Sequence, residues 1–163
     1  MAEQTLAHLS VYKGWDTYQG LLLQVIEPLS IDQLALRAAP RLRSIGENAA
    51  HIVGTRAGWL HYNLERGDEN MVSLASWNRP DQPDLSAAEL VQGLQATWQV
   101  IQDTLNQWTI ADLAGIVHDT DDNGEEHTLT RQWVIWHLIE HDMHHGGELS
   151  FTLGMHGLPG IAI

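Results

Sequence analysis

A cluster of histidines near the C-terminus has the residue type and the spacing of a metal-binding helix. Four of the ten histidines fall within nine residues of one another: His137, His141, His144 and His145. On an α-helix, residues four positions apart share a face and their side chains stack. His141 and His145 can therefore direct two imidazoles at one ion without bending the backbone. For His137 and His144 taken singly, an equally good interpretation is a histidine that binds no metal, either hydrogen-bonded to a carbonyl in the core or exposed on the helix surface.

A third ligand is expected from another helix, because a catalytic zinc site has three protein ligands and one open position. His51 is the candidate, since it lies early in a helix that Ser44–Glu47 (S-I-G-E) begins as a capping box. The same helix face continues through small or polar residues that would leave space beside an ion: Asn48, Thr55, Gly58 and Tyr62. The sequence thus predicts a metal site formed by His51, His141 and His145.

Further polar side chains are candidates for proton transfer or for orienting the ligands. The candidate catalytic groups are Tyr62, His144 and Glu148, and the candidate supporting groups are Asn48 and His137. Glu148 follows His145 by one helical turn and is expected on the same side of the helix. The alternative for Glu148 is a surface carboxylate that only holds a ligand in place.

The composition limits the function classes. The 163 residues carry a formal net charge of −13, which disfavours nucleic acid and anionic membranes and mildly disfavours a strongly anionic substrate. The chain has no cysteine, so any metal ion must be held by nitrogen and oxygen ligands. No segment reaches the roughly 18 apolar residues of a membrane span. The first residues lack a signal-peptide pattern, and we expect a cytoplasmic protein that acts on a small molecule.

Long amphipathic helices are predicted to position these residues. The first carries an apolar stripe from Val11 to Leu29 and is expected to end near Glu27-Pro28. The second runs from the capping box at Ser44 to about Glu65, with Gly67-Asp68 as its stop. A polar stretch from Asn78 to Asp84 contains two prolines and is typical of a connecting loop.

The second half of the chain predicts two more helices with a hairpin between them. A capping box, Ser86–Glu89, begins a helix that ends near Gln107. Asp121–Gly124, which includes Asn-Gly, lies between two short strand-like runs and predicts a small β-hairpin. The last helix begins at Thr128 or Thr130 and ends near Gly154. We therefore predict an all-α fold, a four-helix bundle with one β-hairpin, as a single domain over residues 1–163.

The last helix has two unusual features. Apolar residues surround its histidines on nearly every side, which predicts a buried helix. Two consecutive glycines, Gly146 and Gly147, interrupt it, at a cost of about 1 kcal/mol each relative to alanine. We expect these glycines to allow the close approach of another helix, for instance at a dimer interface.

Two of these motifs resemble those of the DinB-like (YfiT-like) metalloenzyme family. One is the capped helix S-I-G-E-N-A-A-H-I, with Trp59-Leu60 two turns after the histidine. The other is H-L-I-E-H-D-M-H-H-G-G-E-L followed by L-G-M-H-G. The resemblance spans nearly the whole chain and implies a four-helix bundle that usually dimerises. It also implies one nickel, zinc or related divalent ion held by three histidines, which match His51, His141 and His145.

The resemblance also implies an activity. Several family members look like S-transferases or isomerases that use a small-molecule thiol, including bacillithiol and mycothiol, and the ion would activate water or thiol. The family commonly has H-R-G-Q after the last ligand, whereas His145–Glu148 is H-G-G-E, so the arginine is missing. The alternatives are a non-catalytic metal-binding or ligand-sensing dimeric module, and a structural protein whose histidines belong to the core.

Two other metal-binding patterns are incomplete. His137-Leu-Ile-Glu140-His141 matches the HxxEH of inverted zincin proteases, which also need an acidic ligand well downstream. Asp119, Asp121 and Asn123 match the opening of an EF-hand loop, but Thr130 stands where the bidentate glutamate is required. Protease activity and calcium binding are therefore disfavoured.

Overall fold

The computed structural model describes residues 12–79, 84–120 and 123–163. Its long helices are α1 (Lys13–Ile26), α3 (Ile45–Gly58), α5 (Ala87–Gln107) and α7 (Arg131–Met155). Its short helices are α2 (Ile31–Leu34), α4 (Glu69–Ala75) and α6 (Ile110–Leu113). Two antiparallel strands, β1 (Ile116–Thr120) and β2 (Glu126–Thr130), precede α7. The predicted helical bundle with a hairpin before the last helix is confirmed.

Capping residues determine where most of these helices begin. The capping boxes predicted at Ser44 and Ser86 are both present, because each serine accepts a hydrogen bond from the backbone N–H three residues later. Ser30 and Thr109 form further capping boxes that begin the short helices α2 and α6. Thr130 accepts from the backbone N–H of Trp133 at 3.1 Å, and α7 therefore begins after Thr130 rather than after Thr128.

The predicted second helix differs from the observed one at its C-terminal end. After Gly58 the chain continues as a π-helix, Trp59–Asn63, in which the Leu64 N–H donates to the Trp59 carbonyl at 3.0 Å. Glu65 has a positive φ of 53° and ends the helical path. π-helical turns are short and often occur at functional sites.

The chain between α3 and α5 is more ordered than the sequence predicted. It contains α4, whose N-cap Asp68 accepts from the Asn70 N–H at 3.0 Å, and then a 3₁₀ turn, Ser76–Asn78. Asn78 therefore belongs to a structured turn and not to the start of a loop. Both prolines of the predicted loop lie outside the described residues, as do Asp121 and Asp122 of the hairpin turn.

The helices pack around one apolar core. α3 lies against α7, α5 and α4, while α1 lies against α5. The core side of α7 consists of apolar residues that are fully buried: Val134, Ile135, Leu138, Leu149 and Leu153. Among the described residues, no helix is both long and apolar enough to cross a lipid bilayer.

The prediction that the last helix is buried on all sides was wrong. Trp136, Phe151 and Met155 are 59%, 65% and 56% exposed. The helix lies at the surface of the bundle, so only one side of it packs against α1 and α3. Apolar character around the whole circumference therefore did not indicate burial in this helix.

The two glycines of α7 have different environments. A Cβ at Gly146 would lie 2.2 Å from the Tyr18 hydroxyl oxygen and 3.0 Å from the adjoining ring carbon. A Cβ at Gly147 would meet no atom within 4 Å. The predicted close approach is therefore present at Gly146, and the helix that approaches is α1 of the same chain.

We expect Gly146→Ala and Gly147→Ala to change stability in opposite directions. The added methyl at residue 146 must displace the buried Tyr18 ring, and overpacking of this kind costs about 1–3 kcal/mol. At residue 147 the same methyl has free space, so that the free energy of unfolding rises by up to about 1 kcal/mol through helix propensity. Urea unfolding of both variants measures the difference. Equal effects would contradict the assignment of the close contact to Gly146 alone.

Candidate metal centre

Three histidines from two helices meet at one point on the bundle. α3 contributes His51, and α7 contributes His141 and His145 one turn apart. One ring nitrogen of each lies within 4.8 Å of the corresponding nitrogens of the other two. The Nε2 atoms of His51 and His141 are 3.1 Å apart, and His145 has its ring centroid 4.4 Å from that of each partner. The structure thus brings together the three residues predicted as ligands.

Hydrogen bonds orient two of the three rings. The Nδ1 atom of His51 contacts the Oδ1 atom of Asn78, and the Nδ1 atom of His145 contacts a carboxylate oxygen of Glu148 at 2.8 Å. Because both partners are acceptors, each Nδ1 carries the proton and donates it, which leaves the Nε2 lone pair free. A hydrogen bond from the outer nitrogen to an oxygen is the arrangement found around metal-ligating histidines.

His141 makes no such hydrogen bond. Its Nδ1 atom is buried and has no hydrogen-bond partner among the described residues, while its Nε2 atom faces His51. Leaving a buried polar atom unpaired costs about 1–3 kcal/mol. An ion bound among the three imidazoles would be compatible with this donor set, since imidazole nitrogen is a common ligand of divalent transition metals.

Burial keeps the three imidazoles in the neutral form that binds metal. Desolvation lowers the pKa of His51 to about 4, although the hydrogen bond to Asn78 raises it. Desolvation lowers the pKa of His141 to about 3, with further lowering by the neighbouring histidines. The pKa of His145 is also lowered by burial, against an opposing effect of Glu148. At neutral pH all three lone pairs are therefore available.

The low histidine pKa values predict that the metal-free protein loses stability as the pH falls from about 6.5 to the folded pKa values, about 4 for His51 and about 3 for His141. The unfolded pKa of histidine is about 6.5, so the unfolded chain binds more protons than the folded one in this range. The contribution of the neutral His51 and His141 to the free energy of unfolding is therefore complete above pH 6.5, and it is lost as the pH falls below that value. Urea unfolding at several pH values measures the slope. His141→Gln, whose amide does not titrate, should reduce it, and an unchanged slope would contradict the prediction.

The other predicted site residues divide into two groups. Glu148 lies beside the centre, because one of its carboxylate oxygens contacts the Nδ1 atom of His145 at 2.8 Å. Its other oxygen is 3.4 Å from the Nε2 atom of His144, whose side chain is mostly exposed. His137 stacks on Trp133 with ring centroids 5.1 Å apart and lies 6.0 Å from His141. Both His144 and His137 therefore border the centre without being among its three nearest imidazoles.

Tyr62 and Asn48 are not brought to the centre by any contact among the described residues. Tyr62 is 62% exposed on the π-helix, with its ring against His61. Asn48 is buried, and its Oδ1 atom has no hydrogen-bond partner in the described parts of the chain. The helical-face argument placed both beside His51, but residue 62 lies beyond the point where the regular α-helix ends.

A buried ion pair behind the centre was not predicted from the sequence. Arg56 of α3 and Asp142 of α7 are both fully buried, and their closest atoms are 2.6 Å apart. The Trp15 indole N–H donates to Asp142 at 2.6 Å, and Arg56 donates to the side-chain oxygen of Gln19 at 2.8 Å. This network joins α1, α3 and α7 next to His141. The sequence signal was a lone charged residue, Arg56, in a helix segment of mostly small and apolar residues, A-A-H-I-V-G-T-R-A-G.

Comparison with known proteins agrees with the fold. The profile of the DinB superfamily matches residues 15–149. The chain belongs to the DinB superfamily. A crystal structure of a DinB-like protein from Bacillus cereus ATCC 10987 superposes with a TM-score of 0.66 at 21% sequence identity, and the match covers 93% of each chain. At this identity the likeness shows the fold. No curated protein matches the sequence of this DinB superfamily member.

Proposed function

We propose that this DinB superfamily member is a metal-dependent enzyme that acts on a small-molecule thiol, as an S-transferase or an isomerase. The observation that carries the proposal is the group of three neutral imidazoles from α3 and α7, whose nitrogens converge within 4.8 Å. Zinc and nickel are the proposed ions, because imidazole suits both. An ion held by His51, His141 and His145 would lower the pKa of a bound water or thiol and so supply a nucleophile near neutral pH.

The surroundings of the three histidines suit a site that exchanges a ligand. A shallow cavity of about 440 Å³ lies over His141 and His145 and is also lined by His137, Glu140 and His144. A reactant can therefore approach the ligating side of α7 from solvent. Glu148 contacts the buried His145 and the exposed His144 at once, which supports a role in moving a proton between the centre and solvent.

A test of the proposal is the binding of a thiol to the cobalt-substituted protein. Cobalt(II) takes the place of zinc and gives a sulfur-to-cobalt charge-transfer absorption band in the near ultraviolet when a thiolate becomes a ligand. We expect the band on adding 2-mercaptoethanol to the wild type and no band with His141→Ala. His61→Ala, which removes a histidine outside the centre, is the control. No band in the wild type would reject the thiol-dependent function.

One observation favours a second function, a non-catalytic metal-binding or ligand-sensing module. A nitrogen of His144, a nitrogen of His145 and an oxygen of Glu148 also lie within 4.8 Å of one another. If the Glu148 carboxylate completed the coordination of an ion, no open position would remain for a reactant. The cobalt experiment separates the two functions, since a fully protein-coordinated ion gives a cobalt spectrum that the thiol does not change.

The homodimer that the resemblance implies is part of the proposal. The exposed Trp136, Phe151 and Met155 of α7 support it, because they leave apolar surface in contact with water. Sedimentation equilibrium of the purified protein measures the oligomeric state.

A further inference from the structure

A second cavity begins at His51 and is separate from the one over α7. It has a volume of about 380 Å³ and extends between α2, the first turns of α3, the 3₁₀ turn with Arg79, and residues Asp84 and Leu85. His51 and its hydrogen-bond partner Asn78 both line it. A molecule in this cavity would therefore contact one of the three candidate ligands directly.

Basic side chains in and beside the cavity outnumber the acidic ones, because Arg37, which binds Glu47, adds to the two arginines of the lining. Two arginines line it, Arg43 and Arg79, although the whole chain has only eight basic residues against 21 acidic ones. The lining also includes Glu47, but both oxygens of that carboxylate are bound by Arg37 at 2.5 Å. Arg37 thus forms the ion pair with Glu47, and Arg43 adds only a weaker attraction that is the smallest of the effects lowering the pKa of Glu47.

Arg43 is the arginine that is available to a ligand beside His51. No hydrogen bond or ion pair connects its side chain to the described residues, and its guanidinium is exposed. Arg43 and His51 line the same cavity, so a ligand held by the guanidinium lies beside one of the three candidate ligands. A guanidinium presents a planar set of donors that matches a carboxylate.

We propose that the cavity beside His51 binds the carboxylate of a singly charged organic acid through Arg43, with the rest of the molecule directed towards the three histidines. This inference rests on the proposed function only in identifying the bound molecule as the substrate. The negative net charge of the chain disfavoured a strongly anionic substrate, whereas the local charge at this cavity favours one carboxylate.

The cavity lining favours a monocarboxylate over a dianion. Asp84 also lines the cavity and has no hydrogen bond or ion pair with the part of the chain that the structure describes. Its carboxylate repels any anion in the cavity, and it repels a dianion about twice as strongly as a monoanion. Apolar wall residues, such as Ile31, Leu34 and Leu85, provide a surface for an alkyl chain.

Binding can be measured with pentanoate, using pentanamide as its neutral analogue. The indole N–H of Trp77, which lines the cavity, gives an NMR signal that reports occupancy without depending on enzyme activity. In the zinc-loaded protein we expect a saturable shift with pentanoate, and a dissociation constant about tenfold higher in Arg43→Gln. Arg41→Gln, which changes a neighbouring exposed arginine outside the cavity lining, is the matched control and should bind as the wild type does.

Other outcomes would overturn the proposal. These are the absence of a saturable shift, equal binding of pentanamide, equal binding by Arg43→Gln, or tighter binding of inorganic phosphate than of pentanoate. Loss of binding in His141→Ala would also overturn it, because the ion and not Arg43 would then be the acceptor. Pentanoate binding together with no cobalt–thiolate band would reject the thiol function and keep this site, and the reverse result would reject the site alone.

Discussion

The protein purified without a histidine tag is expected to contain about one equivalent of divalent transition metal, and His141→Ala is expected to contain almost none. His141 is central to the three-histidine group, since its Nε2 atom is 3.1 Å from that of His51 and its ring lies 4.4 Å from that of His145. With this imidazole removed, two ligands remain, fewer than the three that hold a catalytic zinc ion. Elemental analysis by mass spectrometry measures the content directly.

His144→Ala is the matched control for this measurement. His144 lies on the same helix only three residues from His141, but it is 68% exposed in its side chain and borders the group from outside. It should retain the metal of the wild type. If His144→Ala lost the ion and His141→Ala kept it, the second donor group, His144, His145 and Glu148, would be the binding site. If the wild type held no metal and took up neither zinc nor nickel, the histidines would be residues of the core and not ligands.

The sequence predicted the convergence of the three candidate ligands because local geometry determines most of their arrangement. His141 and His145 are placed on one face by helical periodicity alone, and the capping box at Ser44 fixes the beginning of the helix that carries His51. The meeting of the two helices requires tertiary packing, so His51 was inferred from its position in a helix with a small and polar face. Its hydrogen-bond partner Asn78 could not be predicted, because it reaches the site through α4 and a 3₁₀ turn within an apparent loop.

Residues whose position depends on helix geometry beyond α3 were predicted less well. Tyr62 was placed beside His51 by counting regular α-helical turns. It lies within the π-helix Trp59–Asn63, where side chains no longer follow the α-helical spacing. Trp136 was expected inside the bundle because apolar residues surround the histidines of its helix on nearly every side. Periodicity cannot distinguish a helix surrounded by protein from one that leaves an apolar side in solvent, as α7 does.

The buried pair of Arg56 and Asp142 is expected to be the most sensitive point of the fold. Asp142→Asn removes the only carboxylate that the described structure pairs with Arg56, and an uncompensated buried charge costs about 3–5 kcal/mol. Asparagine keeps the shape of the side chain and can still accept the N–H of Trp15. The loss of stability in Asp142→Asn therefore measures the effect of removing the charge, because the substitution leaves no cavity. Urea unfolding should show a much lower midpoint for the variant.

The double variant Arg56→Met with Asp142→Asn separates charge pairing from the other effects. It removes both charges, so it should be more stable than Asp142→Asn alone, and the double-mutant cycle should give a coupling free energy of about 1–3 kcal/mol. A double variant as unstable as the sum of the two single variants would contradict a role for pairing.

The double variant also tests the effect of the ion pair on the metal centre, because the pair links α3 to α7 next to His141. If the double variant folds but binds zinc more weakly than the wild type, the pair holds in position the two helices that carry the candidate ligands. Zinc affinity equal to that of the wild type would instead show that apolar packing between α3 and α7 is sufficient to bring His51 to His141 and His145.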